Sequence, residues 1–416
     1  MAEVGKLLTI GEEYEHHMTR RCIGLGDRSP RRSRSVTSRG AQSFRAKSLR
    51  RRFGAALLLC VVAGTGAIPA QSKDHRSFAA LITRLSEPGG YFDSDNLISN
   101  ETSYLHVLGK LREIGVHGGV YIGVGPDQNF SYIAKIRPRM AVIIDIRRDN
   151  MLQQLMFKAL MERARNRIEY LCLLFGKPFP KDRGWEQRGI KDLADYIDNT
   201  ASDQKLFDRT TKEIGRMVRS FDSDITPNDM EVIDRIEKAF FASGLEIRYS
   251  SHFRPPRSIY PTYRDLLLER DLSGNLNSYL NSEDDFKYVK RLEDQDLIVP
   301  AVGDLAGPKA LKAIGNYIAE IKEHVSAFYT SNVEFYLSRE GTFDKYAENL
   351  KSLPIDEHSV IIRSYFNYYA PAHPQAIPGH FSTQLLERLG DLLKQCDEGN
   401  CSSYNDIVTK DSILLQ

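Results

Sequence analysis

The chain has little cysteine, with five in 416 residues, and no Cys or His spacing of the kind that holds zinc. Its ten histidines are scattered, so no metal ligands are expected. A framework of disulfides is excluded as well. Past residue 70 only Cys172, Cys396 and Cys401 remain. Cys172 sits in an apolar helical run and reads as a buried thiol, whereas Cys396 and Cys401 flank Asp-Glu-Gly-Asn at a spacing that admits a local disulfide in an oxidising compartment. Surplus positive charge is also missing from the body of the chain. The net charge is +2, but residues 1–70 hold 13 of the 57 Lys and Arg and 5 of the 55 acids, leaving 44 against 50 downstream. A slightly acidic body offers no electrostatic footprint to nucleic acid or anionic lipid. Nucleic acid is therefore not an expected partner. No internal repeat is present, and the one apolar stretch near the N-terminus, Phe53 to Ala63, is short for a comfortable membrane span.

That stretch is informative in its context. Residues 44–52, FRAKSLRRR, precede it and the small-residue string GTGAIPAQS follows it, the layout of a signal peptide with cleavage after Ala70, or of an uncleaved single N-terminal anchor. Both place the body of the chain outside the cytoplasm, exported or held at an inner membrane. Residues 1–43, rich in Arg, Ser and Gly, read as a disordered basic leader.

From residue 76 to 395 the pattern is that of an α/β domain with a doubly wound, mostly parallel sheet. Two helices are expected over 76–114, the second capped by Ser99 or Asn100. Strands are expected at Val120–Val124, Met140–Ile146, Leu245–Ser250, from Leu297, from Val325 and at Ser359–Phe366. The first two are continuous apolar runs, as in strands covered on both faces. A long helix is expected over Met151–Gly176, closed by Gly176 and Pro178, and an amphipathic helical pattern over 382–395. Residues 178–243 lack a strand pattern and read as a helical insertion, and 396–416 as a C-terminal tail.

The most informative run is GGVYIGVGPDQNF at 118–130, answered by AVIIDIRRDN at 141–150. An apolar strand running into Gly123-Val124-Gly125 lets the backbone turn sharply and a ligand approach. Asp145 lies where a second strand ends and a ribose hydroxyl would need an acceptor. Together they point to a small, nucleoside-containing ligand. Asp127 stands where a pyrophosphate-binding loop carries a third small residue; a carboxylate there repels phosphate and favours a cationic ligand. That disfavours a nicotinamide oxidoreductase. Further acids and amides fall at other strand ends, Asp304 in VGDLAG and Asn332 and Glu334 in YTSNVEF, while Glu101 closes the polar segment FDSDNLISNE before the first strand.

Taken together, the strand order, the Gly123–Gly125 turn and Asp145 resemble a class I S-adenosylmethionine-dependent methyltransferase domain. The strings GGYFDSDNLISNE, YIGVGPDQNFSYIA, DIRRDN, VGDLAG and YTSNVEFYL are more closely similar to an uncharacterised bacterial family with that fold, over most of residues 78–390. The resemblance implies S-adenosylmethionine as cofactor. It implies that Gly123 and Gly125 contact the amino-acid portion of the ligand, Asp145 the ribose, and Asp304 the region beside the adenine or reacting centre, with Glu101, Asp127 and Asn332 completing the lining. Two departures bear on activity: the third glycine is replaced, and no Asn-Pro-Pro-Tyr motif follows the later strand, so amino-group methylation of bases or glutamine has no support. No histidine stands by as a general base, though methyl transfer depends chiefly on alignment. The expectation is a methyltransferase-like protein of unknown acceptor. Export of the domain away from cytoplasmic S-adenosylmethionine would instead make it a non-enzymatic ligand- or partner-binding protein.

Overall fold

Val120–Gly123 (β1) and Met140–Asp145 (β2) are apolar nearly end to end, and a strand of that composition is stable only between two covering layers. The computed structural model describes residues 75–222, 224–251, 257–367, 372–401 and 403–416, and in it both strands lie at the centre of a six-stranded sheet. The others are Ile298–Val302 (β3), Val325–Ser331 (β4), Val360–Phe366 (β5) and Ser382–Arg388 (β6). Their order is β3-β2-β1-β4-β5-β6, with all neighbours parallel except β5 and β6. The strand order reverses at β1, which puts a crevice beyond the carboxyl end of that strand. Register aligns Gly123 with Ile143 and Tyr329, and Asp145 with Val302, so the polar strand ends share one edge.

Helices cover both faces. Arg76–Leu85 (α1) and Leu108–Glu113 (α2) precede β1, and Gln128–Ile136 (α3) joins it to β2. Among the described residues seven α-helices separate β2 from β3: Arg148–Arg163 (α4), Arg167–Leu174 (α5), Ile190–Asn199 (α6), Gln204–Phe221 (α7), Pro227–Ser243 (α8), Tyr263–Leu267 (α9) and Glu283–Asp294 (α10). Ala310–Glu320 (α11) leads to β4, Val333–Arg339 (α12) and Phe343–Leu350 (α13) lead to β5, and Leu389–Asp397 (α14) and Tyr404–Thr409 (α15) close the chain. Helix α4 is buried from Asn150 to Met161. A helix buried all round needs cover on two sides. It rests on β2 and β3, and α7, α8 and α10 lie on it from outside, so the expected insertion forms an outer layer on the same core.

Four expectations are corrected. Leu245–Ser250 is not a sheet strand: Gly244–Glu246 is a short 3-10 turn, and Arg248 makes one isolated bridge to Thr262. Its alternation buries Leu245 and Ile247 on one side only, whereas IVPAV in β3 buries every residue, as a central parallel strand requires. The sixth strand is instead β6, from the stretch read as helical. Its polar residues Thr383, Gln384 and Glu387 are buried with partners, which breaks the apolar alternation that marks a strand. The long helix over 151–176 divides, because Ala164 turns extended and Asn166 caps α5 by accepting from Glu169 N at 3.0 Å. The second helix starts only at Leu108, after turns; Ser99 Oγ accepts from Glu101 N rather than capping it.

A buried ionic group ties β5 to its neighbours. Arg363 pairs with Glu334 at the start of α12 and with Glu387 of β6, all three buried. Cys396 and Cys401 are joined by a disulfide with Cα atoms 4.9 Å apart, and Cys172 is a buried free thiol. Among the described residues no helix is long and apolar enough to cross a membrane. The leader 1–43 and the basic-then-apolar segment 44–70 lie outside the described residues.

Candidate functional site

The turn after β1 is built by its own side chains. Gly125 has φ +84°, a conformation that suits glycine. Gly123 is needed for a different reason, since a Cβ there would lie 1.9 Å from Asn129 Oδ1. Asn129 stitches the turn together: its Nδ2 donates to Val124 O at 2.9 Å and Pro126 O at 2.7 Å, and Oδ1 accepts from Tyr121 OH at 2.7 Å. Residues 120–134 are buried throughout.

Asp127 ends the turn, and its carboxylate is directed into a tyrosine cluster. Oδ2 accepts from Tyr263 OH at 2.5 Å and Tyr279 OH at 3.0 Å, and the Tyr279 hydroxyl oxygen lies 3.3 Å from Tyr170 OH. Burial pushes the Asp127 carboxyl up to about 6, against the lowering effect of the two phenols. The same burial drives the phenols of Tyr170, Tyr263 and Tyr279 well above their usual range. The side chain does not cap α3.

Glu101, buried, is the hub on the other side of the turn. It accepts from Tyr329 OH at 2.6 Å, Ser364 Oγ at 2.5 Å and Gln384 Nε2 at 2.8 Å, and from Ser331 Oγ. Ser331 ends β4 at φ +53°, where β4 slips register against β5, and its Oγ is 3.4 Å from Asn332 Oδ1. Gln128 Nε2 donates to Tyr329 OH at 3.3 Å. Gln128, Tyr329, Glu101, Ser331 and Asn332 thus form one connected group.

Asp145 is engaged by its near neighbour. Its Oδ1 accepts from Arg147 N at 2.9 Å and Nε at 3.0 Å, and its Oδ2 from Nη2 at 2.8 Å. Arg147 Nη1 reaches Ser94 O at 3.1 Å and Asp95 O at 2.7 Å. Burial opposes the Arg147 charge, but Asp145 outweighs it and raises the guanidinium above its ordinary value. Asp304 is apart from the group. It shapes its own turn, with Oδ1 accepting from Ala306 N at 2.9 Å, and the turn is held by Glu87, which accepts from Asp304 N at 3.1 Å, Lys309 N at 2.8 Å and Ala310 N at 3.1 Å.

Residues 87–107 therefore cross the carboxyl ends of the strands. Glu87 N donates to Val302 O, Gly90 N to Ile146 O, and Leu97 O accepts from Gln153. Beneath the crossing lies a set of buried polar atoms without partners among the described residues: Asp95 Oδ1, Gln128 Oε1, Gln154 Oε1 and both side-chain atoms of Asn150. Asn150 and Gln154 are four apart on α4 and share a face, and Gln154 Nε2 donates to Gly125 O at 3.0 Å. The orphans are mostly oxygens, a setting for cationic or donor-rich groups. An open cavity of about 410 Å³ lies to one side, between α1, the start of α4 and the end of β3, bordered by Glu87, Arg148, Asp222 and Lys309.

Residues 97–412, more than half of the chain, match the family described as a domain of unknown function, DUF7790. The chain belongs to the DUF7790 family. No curated protein matches it. The DUF7790 stretch contains Glu101, the glycine turn, Asp145, Asp304 and Asn332, whereas Glu87 and Asp95 precede it. Sequence reasoning did not reach Asn129, Asn150, Gln154 or the Asp145–Arg147 pair. A signal existed for the amides: Asn150, Gln153 and Gln154 fall among the apolar residues Met151, Leu152, Leu155 and Met156.

Proposed function

We propose that this DUF7790 protein binds a small, cationic nucleoside-type ligand of the S-adenosylmethionine class beside Gly125, and that methyl transfer is its reaction. The observation that carries this reading is the set of unpartnered oxygens on Asp95, Asn150, Gln128 and Gln154 around the glycine turn. Buried acceptors without donors cost roughly 1–3 kcal/mol each, which a donor-rich ligand would offset. An ammonium or sulfonium suits them, while the acids nearby disfavour phosphate.

The residues present fit such a ligand as follows. Gln128, Asn150 and Gln154 would accept from its ammonium, with Gly125 allowing backbone approach. Asp145 would meet the ribose only by sharing its oxygens with Arg147. When bound, the ligand supplies an activated methyl group on a sulfonium. The chain's part is to exclude water, through residues 87–107, and to hold the acceptor in line. Calorimetry of the full chain with S-adenosylmethionine tests the proposal. One equivalent of binding, weakened by Gln154→Leu, is the expected result. No binding at millimolar ligand refutes it.

A second reading is favoured by the bidentate Asp145–Arg147 pair and the closed crossing above the turn. In it the fold is kept as a non-enzymatic binding protein, exported by residues 44–70. Terminal sequencing after cell fractionation separates the two readings: uncleaved protein wholly in the cytosol removes the second.

A further inference from the structure

Three loops far apart in sequence bring His106, Glu269 and His380 together, with one ligand-capable atom from each lying within 4.8 Å of the others. His106 comes from the turns that follow Glu101, Glu269 from the segment after α9, and His380 from the approach to β6. We propose that these three side chains bind a divalent first-row transition metal ion of the zinc type, at a site separate from the glycine turn and independent of its function.

The donor set is two imidazoles and one carboxylate, borderline ligands that suit zinc and its neighbours better than magnesium or calcium. The two rings meet edge to face, with centroids 4.5 Å apart and planes at 75°. Imidazoles held that close without a hydrogen bond between them gain little from each other in the absence of a cation. The His380 ring is oriented from outside: its Nδ1 lies 3.2 Å from Thr102 Oγ1, which leaves Nε2 for a metal. His106 makes no hydrogen bond through its ring among the described residues.

Charge points the same way. Asp271 is buried close by and adds negative potential beside Glu269. Zinc bonds of about 2.0–2.2 Å at tetrahedral angles set donors roughly 3.4 Å apart, so ion binding needs a contraction of at most about 1.4 Å. Rotation of the half-buried Glu269 and His380 side chains supplies that. Three protein ligands leave a coordination position open, the arrangement of catalytic rather than structural zinc sites. A second cluster, His75, Glu162 and Asp296, does not qualify. The Lys158 ammonium already fills it, 2.8 Å from both Glu162 and Asp296.

The test is equilibrium binding of Zn²⁺ to the full, oxidised chain by competition with a chromogenic chelator, with Co²⁺ absorption as a second readout. The native chain is expected to bind with a dissociation constant of micromolar or tighter and to give the intense visible bands of four-coordinate Co²⁺. His380→Ala and Glu269→Gln, both at half-buried positions and folded by circular dichroism, should each weaken binding about 100-fold or more and abolish the bands. Thr102→Val should weaken it about 10-fold. His117→Ala and His358→Ala, at exposed positions, should change nothing. Native binding weaker than about 100 μM, or unchanged binding and spectra in the His380 and Glu269 variants, overturns the proposal. Should His106→Ala fail to fold, those two variants still decide it.

Discussion

Replacing Asp127 by Asn should remove a pH dependence that the buried carboxylate imposes on stability. Its ordinary value of 3.8 is raised to about 6 in the folded chain, chiefly by burial. Between these values the native state holds a proton that the unfolded state has released, so stability falls as pH rises through the interval. At 1.36 kcal/mol for each pH unit of that interval, the full effect is about 3 kcal/mol. Integrated over a practical range, from about pH 4.5 to 7.5, it is about 2 kcal/mol. The substituted amide cannot ionise, yet keeps an oxygen for Tyr263, so the difference between the amide and the protonated carboxyl shows up as a pH-independent offset of about 1 kcal/mol. Urea unfolding of both proteins at 25 °C across that range gives the difference directly, and other titrating groups cancel. The stability of the native chain relative to the variant should drop by about 2 kcal/mol on going from the acid to the neutral end. Parallel profiles would mean that Asp127 ionises normally, and the account of the tyrosine cluster would fail.

Gly123→Ala should cost about 1–3 kcal/mol, because the new Cβ meets Asn129 Oδ1; adding Asn129→Ala should recover part of it, and strict additivity in a denaturant cycle would refute the contact. Arg363→Met should cost about 3–5 kcal/mol by stranding Glu334 and Glu387 in the core, and the triple change with Glu334→Leu and Glu387→Leu should regain most of the thermal midpoint. Glu87→Gln should lower stability by about 0.5–2 kcal/mol, and by less at high salt, since the carboxylate caps the first turn of α11. A salt-independent difference would show that its charge does not act on the helix end.

The central strands were legible because their physics is local. GVYIGV and MAVIID must be covered on both faces, and the glycine turn between them needs a positive φ at Gly125. What escaped depended on partners distant in the chain. Gln384 and Glu387 read as the polar face of a helix until Glu101 and Arg363, far upstream, give them a reason to be buried in a strand. Leu245 and Ile247 alternate like a strand but face helices. At the site, the glycines and acids were found by spacing, but not the uses the fold makes of them. Gly123 makes room for Asn129, Asp127 faces Tyr263 and Tyr279, and Asp145 faces Arg147, two residues on. The proximity of His106 to His380 leaves no trace in spacing at all.

The crossing segment also bears on how much of the chain folds by itself. Residues shared with the family begin at 97, yet Phe78, Ile82 and Leu85 of α1 are buried in the main core, and Glu87 holds the start of α11. Each of the three apolar side chains contributes roughly 1.5–3 kcal/mol by burial, about 5–9 together. That is comparable to the whole stability of an ordinary domain. The family boundary is therefore a boundary of shared sequence and not of autonomous folding: a fragment begun at residue 97 would leave the outer face of β3 bare and prone to self-association.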